Sequence, residues 1–415
     1  MKVRGSMTSS SSFLSATTVL LLLPIIITTT ISAFEVPYPQ SSAEIKSSIV
    51  ASDVGSFATP PQNNNNDIQP ITRQFQLGSG TLAEVITCIP PKKETASSDV
   101  LENIFSSLFG NDNKSSPSIN NNKPTLAFLH GSFHASWCWA EKYMPYFASL
   151  GYPCVAFSLQ GTGGTPTMEV GAKKVKIASH VADLNAFLKG LSDDDTASLG
   201  LGLGNDPKIV LIGHSFGGLT IMKWLEQLYG DNTNNEDNAN NHVNLAGVSL
   251  MCSVPPSGNG AMTMRFIRRS LVDAWKITAG FVMKKAITDK SIARDLFFGG
   301  TEDDNGITDE DVKRYQSYFQ RDTVATIDLG DLAKKLPSAL ADKETGRAPF
   351  VDRLPPVFVV GASEDFIVDI EGVDETARYM GLDEPLIVDS PHDVMLGKRW
   401  NNGADAILEF VEGVL

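Results

Sequence analysis

The pentapeptide Gly213-His214-Ser215-Phe216-Gly217 contains the residue best suited to covalent chemistry. It follows the apolar run 208–212 and precedes a helix-like stretch, so Ser215 is predicted to lie on a tight turn between a strand and a helix. Glycines two positions before and after the serine permit such a turn. A serine hydroxyl exposed there can attack an acyl carbon, and the backbone N–H of Phe216 would face the oxyanion that develops.

This chemistry needs a general base and a carboxylate that orients it. His392 is the one histidine beyond His242, and it follows the strand-like run 385–388. An ordinary loop histidine is the alternative. The apolar run 356–360 is followed by three carboxylates, Glu364, Asp365 and Asp369. A short carboxylate at a strand exit can receive the imidazole N–H and hold the ring in the correct tautomer, and Asp365 is the predicted residue. Solvated loop charges are the alternative for all three carboxylates.

A second oxyanion donor is expected from the loop after the strand 125–129. Gly131 lets the backbone approach the substrate carbonyl there, so the N–H of Ser132 is the predicted donor and that of Phe133 the alternative. The neighbouring His130 and His134 are predicted to be structural residues that hydrogen-bond the loop.

Three sequence motifs resemble a known family. The segment 130–139, with Trp137 and Trp139, resembles the oxyanion loop of the α/β-hydrolase branch that includes plant methylesterases, hydroxynitrile lyases and small bacterial carboxylesterases. The segment 151–163 resembles that family's next strand and loop, and 392–396 resembles its histidine loop. The resemblance implies the chain order Ser, acid, His, which favours His392 as the base, and a spacing from Gly361 that favours Asp365.

The resemblance covers about 124–256 and 351–415. It implies an α/β-hydrolase fold, a mostly parallel central sheet flanked by helices with a helical cap insertion. In the second motif Gln160 and Thr162 replace the usual Arg and His.

The composition of the chain limits the classes of partner that it can bind. With 415 residues and a formal net charge of −14, the chain has no basic excess for nucleic acid or anionic lipid. Cys88, Cys138, Cys154 and Cys252 show no paired ligand spacing and are predicted to be buried thiols, with a disulfide as the alternative in an oxidising compartment. No metal or organic cofactor is implied.

The N-terminus resembles a targeting sequence. Segment 1–33 has the basic start, apolar core and small-residue cleavage site of a signal peptide. An uncleaved anchor is the alternative, but the apolar run is shorter than the roughly 20 residues that a span needs, so no stable membrane span is expected in the mature chain. Ser32-Ala33-Phe34 resembles the cleavage motif of bipartite plastid presequences in algae with secondary plastids. A plastid address is therefore one expectation, and secretion or an endomembrane lumen is the other.

The rest of the chain divides into four predicted segments. Residues 34–70 are a disordered or transit segment, 71–256 the first part of the hydrolase core with a polar insertion at 91–123, 257–350 the helical cap, and 351–415 the second part of the core. In the cap, two stripes at helical spacing are predicted to pack inward, with a lining of the substrate cleft as the alternative. They are formed by Met264, Ile267, Leu271 and Trp275, and by Val312, Tyr315 and Phe319.

The sequence therefore predicts a serine hydrolase that cleaves a carboxylic ester with a small apolar acyl or alkyl group, through Ser215, His392 and Asp365. Two alternatives remain. One is a hydroxynitrile-lyase-like enzyme, although the family's lyases carry Thr at the position of Gly131. The other is a non-catalytic protein that binds a small molecule.

Overall fold

The strand Ile209–His214, which precedes Ser215, lies in the middle of the central sheet. Its residues are all buried and, apart from His214, are apolar or glycine, as both faces of such a strand are covered. The computed structural model describes residues 68–77, 80–90, 123–192, 203, 206–230, 243–282, 284–300, 307–397 and 399–414. The predicted signal peptide 1–33, and nearly all of the transit segment 34–70 and of the insertion 91–123, lie outside the described residues.

Ten strands are described: β1 (Ile71–Gln76), β2 (Leu82–Cys88), β3 (Thr125–Leu129), β4 (Cys154–Phe157), β5 (Lys174–Val175), β6 (Ile209–His214), β7 (Leu245–Met251), β8 (Thr326–Ile327), β9 (Val357–Glu364) and β10 (Leu386–Pro391). The α-helices are α1 (Trp137–Ala140), α2 (Tyr143–Ser149), α3 (Ile177–Ser192), α4 (Phe216–Tyr229), α5 (Asn259–Arg269), α6 (Leu271–Ile277), α7 (Lys290–Ala293), α8 (Asp309–Asp322), α9 (Leu329–Leu332), α10 (Ile370–Tyr379) and α11 (Trp400–Gly413). Short π-helices span Thr278–Val282 and Arg294–Phe298.

The central sheet has eight strands in the order β1-β2-β4-β3-β6-β7-β9-β10. From β4 to β10 every neighbouring pair is parallel, whereas β2 is antiparallel to both β1 and β4. The order reverses beside β3 and β6, and the loops after such strands gather at one edge of the sheet. The predicted mostly parallel sheet flanked by helices is confirmed.

The predicted helical insertion lies between β7 and β9. Its helix α8 buries Val312, Tyr315 and Phe319 on one face, as predicted. The other stripe was predicted wrongly: the helix is interrupted at Ser270, whose extended backbone begins α6. Met264, Leu271 and Trp275 are therefore exposed rather than packed inward.

All four cysteines are buried free thiols, in agreement with the sequence prediction. No helix in the described ranges is both long and apolar enough to cross a membrane.

Candidate active site

Ser215 lies at the turn from β6 to α4 in a strained backbone conformation. Its φ of 53° and ψ of −120° fall in a region that non-glycine residues rarely adopt. The backbone holds this turn from both sides: the N–H of Ser215 donates to the carbonyl of Met251 at 3.0 Å, and its carbonyl accepts from the N–H of Val254 at 3.1 Å. The residue is 7% exposed and begins the helix, so Phe216 supplies the first helical N–H group.

Close packing explains the glycines around the serine. A Cβ atom at Gly217 would lie 2.5 Å from the carbonyl oxygen of His130, and one at Gly213 would lie 2.5 Å from the side chain of Ile221. A Cβ atom at Gly131 would lie 2.7 Å from the Cβ of Ser215. The loop that carries Ser132 is thus in direct contact with the serine turn.

Gly131→Ala is expected to lower ester hydrolysis by about 100-fold or more, because either the serine or the oxyanion loop must move away from the added methyl group. Initial rates of the purified variant measure this loss. The matched control is Gly260→Ala in α5, where an added Cβ meets no atom within 4 Å. Equal activity in the two variants would contradict the close contact between Gly131 and Ser215.

Asp365 and His392 form a buried hydrogen-bonded pair. Asp365 follows β9 and His392 follows β10, two adjacent parallel strands, and Nδ1 of His392 lies 2.8 Å from Oδ2 of Asp365. Oδ1 of Asp365 accepts the backbone N–H groups of Ile367 at 2.7 Å and of Val368 at 2.8 Å. The carboxylate is therefore held in one orientation, and the imidazole places a proton on Nδ1 and a lone pair on Nε2.

The two other carboxylates predicted as candidates have different surroundings. Glu364 is exposed and pairs with Arg399. Asp369 caps the N-terminus of α10 and accepts hydrogen bonds from Nη2 and Nε of Arg265, at 2.6 and 2.7 Å. Neither contacts His392, so the geometry favours Asp365 as the sequence did.

His214, the residue before Ser215, connects the serine turn to His392. Its Nε2 donates to the carbonyl oxygen of His392 at 2.9 Å, and the two rings lie 4.7 Å apart between centroids. In the described part of the chain no hydrogen bond joins the Ser215 hydroxyl to the His392 imidazole. Such contacts are often long in a free enzyme and tighten when substrate binds.

The structural roles predicted for His130 and His134 are confirmed. Nδ1 of His130 donates to the carbonyl of Gly131 at 2.8 Å, and Nε2 accepts the N–H of Leu159 at 3.0 Å. Both nitrogens of His134 face acceptors, the carbonyl of Ser132 at 2.8 Å and Oδ2 of Asp393 at 2.9 Å.

His134 and Asp393 form a fully buried ion pair between the oxyanion loop and the histidine loop. Burial alone would lower the pKa of His134, but the charge of Asp393 and the hydrogen bonds raise it above its usual value. Sequence reasoning missed Asp393, and its position directly after His392 was the available signal.

Aromatic side chains of the helical insertion lie over the site. The ring of Phe297 is 6.3 Å from that of His392, and its carbonyl accepts the N–H of Asp393 at 2.9 Å. Phe133 of the oxyanion loop packs against Phe297 at 5.9 Å and Phe319 at 6.1 Å. The side of the site that faces the helical insertion is thus formed by aromatic rings.

Among the described residues, two sets of side chains bring potential metal ligands within 4.8 Å of one another. The first is His214, His392 and Asp393, and the second is Cys252, Asp365 and His392. Both share the histidine of the Asp365 pair, so a metal held at either would compete with that pair.

Three buried histidines give the protein an expected sensitivity to acid. Burial lowers the pKa of His130 to about 4 and that of His180 to about 3, and it lowers the pKa of His214 well below the usual value. These imidazoles are neutral in the folded protein and bind protons when it unfolds. Their contribution to stability is therefore complete above about pH 6.5, the pKa of histidine in the unfolded chain, and is lost as pH falls toward the folded pKa. His134 acts with the opposite sign, because its folded pKa is raised and its contribution is lost as pH rises.

The free energy of unfolding is expected to decrease between pH 7 and pH 5, by up to about 2 kcal/mol for each of the three neutral histidines. Chemical denaturation of the wild type and of His180→Gln at both pH values measures the part due to His180. The variant should lose about 2 kcal/mol less than the wild type over this range. Identical losses would show that the His180 imidazole is not held neutral.

Comparison with known proteins identifies the family and the fold of the chain. A family model described as "Alpha/beta hydrolase family" matches residues 126–398, well over half of the chain. Methylesterase 2 and Methylesterase 1 of Arabidopsis thaliana are each 30% identical, over 99 and 105 residues. These alignments cover 24% and 25% of this chain, and the chain spans only 32% and 35% of the length of the two relatives.

A solved structure shows the same fold. The bromoperoxidase from Bacillus anthracis superposes with a TM-score of 0.50 at 12% identity, over 83% of this chain and 100% of that chain. At this identity the likeness concerns the arrangement of the sheet and helices alone.

Proposed function

The chain belongs to the alpha/beta hydrolase family, and we propose on this basis that it is a serine hydrolase that cleaves a carboxylic ester or a related acyl bond. The observation that carries the proposal is the 2.8 Å hydrogen bond between Asp365 and His392, at the same edge of the parallel sheet as the strained turn of Ser215. A buried acid–imidazole pair beside a serine at a helix N-terminus is the arrangement that acyl transfer requires.

The proposed reaction proceeds in two halves. Nε2 of His392 takes the hydroxyl proton as Ser215 Oγ bonds to the carbonyl carbon, and the oxyanion accepts hydrogen bonds from the N–H groups of Phe216 and Ser132. The imidazolium then gives its proton to the leaving alcohol as the ester C–O bond breaks. Water repeats these steps on the acyl-enzyme, which releases the acid and restores the serine.

The substrate proposed is a small ester with an apolar acyl or alkyl group. Phe297 packs against His392, and Phe133 packs against Phe297 and Phe319, so the side of the imidazole that faces the helical insertion is aromatic and uncharged. Apolar pockets with a few polar groups at the reacting centre bind such molecules.

One alternative is a hydroxynitrile-lyase-like enzyme. The contact of Gly131 with Ser215 disfavours it, because the Thr found at this position in the family's lyases would place its Cβ 2.7 Å from the Cβ of Ser215. The other alternative is a non-catalytic binding protein, and turnover distinguishes it from an enzyme.

A screen of the purified full chain tests the proposal. Methyl esters, and acyl esters of increasing chain length, are incubated with the wild type and with His392→Ala, and acid release is followed. We expect the wild type to hydrolyse at least one of these esters and His392→Ala to hydrolyse none. Cyanohydrin cleavage without ester hydrolysis would favour the lyase, and binding without turnover would favour the binding protein.

A further inference from the structure

The thiol of Cys252 lies beside the pair formed by Asp365 and His392. Cys252 is the first residue after β7, and its backbone adopts a φ of 45°. Its N–H donates to the carbonyl of Val360 in β9 at 2.7 Å, which fixes it against the strand that leads to Asp365. The side chain is fully buried, and ester hydrolysis as proposed above gives it no role.

Three different ligand types meet at this point. The sulfur of Cys252, a carboxylate oxygen of Asp365 and an imidazole nitrogen of His392 lie within 4.8 Å of one another. Thiolate, imidazole and carboxylate are the groups that bind Zn²⁺, and sites with three protein ligands leave a fourth position for water. The sulfur favours thiophilic cations such as Zn²⁺ over Mg²⁺ and Ca²⁺, which prefer oxygen.

The three ligands come from three different strand ends. Cys252 follows β7, Asp365 follows β9 and His392 follows β10, so the sheet itself brings them together. Glu364 and Phe366, the chain neighbours of Asp365, line a surface cavity of about 510 Å³. This cavity therefore lies next to the chain segment that carries Asp365.

We propose that Cys252, Asp365 and His392 form an inhibitory site for a thiophilic divalent cation. On binding, the Cys252 thiol releases its proton to solvent and the sulfur bonds to the cation. The ring proton of His392 leaves Nδ1, where the cation binds, and the neutral ring then carries its proton on Nε2. The hydrogen bond to Asp365 is lost, and Nε2 no longer accepts the proton of Ser215. This inhibitory consequence rests on the proposed hydrolase function, whereas the binding itself does not.

Cadmium binding provides the test, because a cadmium–thiolate bond absorbs in the ultraviolet and needs no substrate. The full chain is titrated with Cd²⁺ in a thiol-free reductant, alongside Cys252→Ser and the control Cys154→Ser, a buried cysteine of β4. The wild type and the control should show the same thiolate absorption. Cys252→Ser should lose it and bind about 100-fold more weakly, since loss of outer partners alone costs 10–100-fold.

A second variant keeps the test decisive if Cys252→Ser does not fold. His392→Asn retains the thiol and should also weaken Cd²⁺ binding. Absorption that persists in Cys252→Ser would overturn the site. So would absorption lost in Cys154→Ser, because Cys88 and Cys154 are neighbours in the β2–β4 register and would then be the binding pair. Unchanged affinity in His392→Asn would overturn it as well.

Activity measurements separate this proposal from the hydrolase proposal. With any ester that the protein cleaves, Zn²⁺ should inhibit the wild type and Cys154→Ser in parallel with metal occupancy, and inhibition should be relieved in Cys252→Ser. Full hydrolysis by the metal-loaded wild type would overturn the inhibitory role. Metal binding at Cys252 in a protein that cleaves no ester would leave the site intact and refute the hydrolase function.

Discussion

Ser215→Ala is expected to lower kcat for ester hydrolysis by about 10⁶-fold, because without the hydroxyl no acyl-enzyme forms and only the oxyanion donors remain. The fold should be unchanged, since alanine retains the Cβ that packs against Gly131. Single-turnover rates at saturating ester, compared at equal concentrations of folded protein, measure the loss.

Ser249→Ala is the matched control for this substitution. Ser249 is fully buried in β7, and within the described residues its hydroxyl has no hydrogen-bond partner. Its removal should leave the rate within about twofold, since no interaction is lost. A Ser215→Ala protein that keeps a substantial fraction of wild-type activity would exclude Ser215 as the nucleophile.

Asp365→Asn is expected to lower kcat by about 10⁴-fold. The amide has the shape of the carboxylate, but it no longer stabilises the imidazolium and it permits the wrong tautomer of His392. KM should change little, because the side chain is buried behind the imidazole and does not face the substrate. Steady-state kinetics of the variant give both constants.

Two neighbouring carboxylates serve as controls for Asp365. Glu364→Gln removes an exposed charge, and Asp369→Asn weakens the pair with Arg265 and the cap of α10. Both should stay within about tenfold of wild-type kcat, while Asp369→Asn also lowers stability. If either variant lost most of its kcat while Asp365→Asn lost little, the substituted residue, and not Asp365, would be the acid that orients His392.

The main residues of the site could be predicted because each stands at a recognisable strand exit. An apolar run followed by Gly-His-Ser-Phe-Gly constrains the chain to one strand, one turn and one helix, so Ser215 could be placed without a structure. His392 and Asp365 follow apolar runs that become β10 and β9, and parallel strands direct their carboxyl ends to one edge.

Long-range packing could not be predicted from the same patterns. The ion pair of His134 with Asp393 joins residues far apart in the chain, and no local pattern in the sequence predicts it. The proximity of Cys252 to Asp365 likewise depends on the order of β7 and β9 in the sheet.

The stripe from Met264 to Trp275 was predicted as one inward face. Periodicity alone does not reveal that Ser270 divides the helix and leaves these side chains exposed. The capping preference of serine was the local signal that competed with the apolar pattern.

Covalent labelling with a fluorophosphonate tests the central claim most directly, because the probe reacts only with a serine activated by a base and an oxyanion site. The folded full chain is labelled, digested and examined by mass spectrometry. The predicted result is a single adduct on the peptide that contains Ser215, absent from Ser215→Ala and strongly reduced in His392→Ala. An adduct on a different serine, or no adduct on folded wild-type protein, would contradict the assignment of this chain as a serine hydrolase.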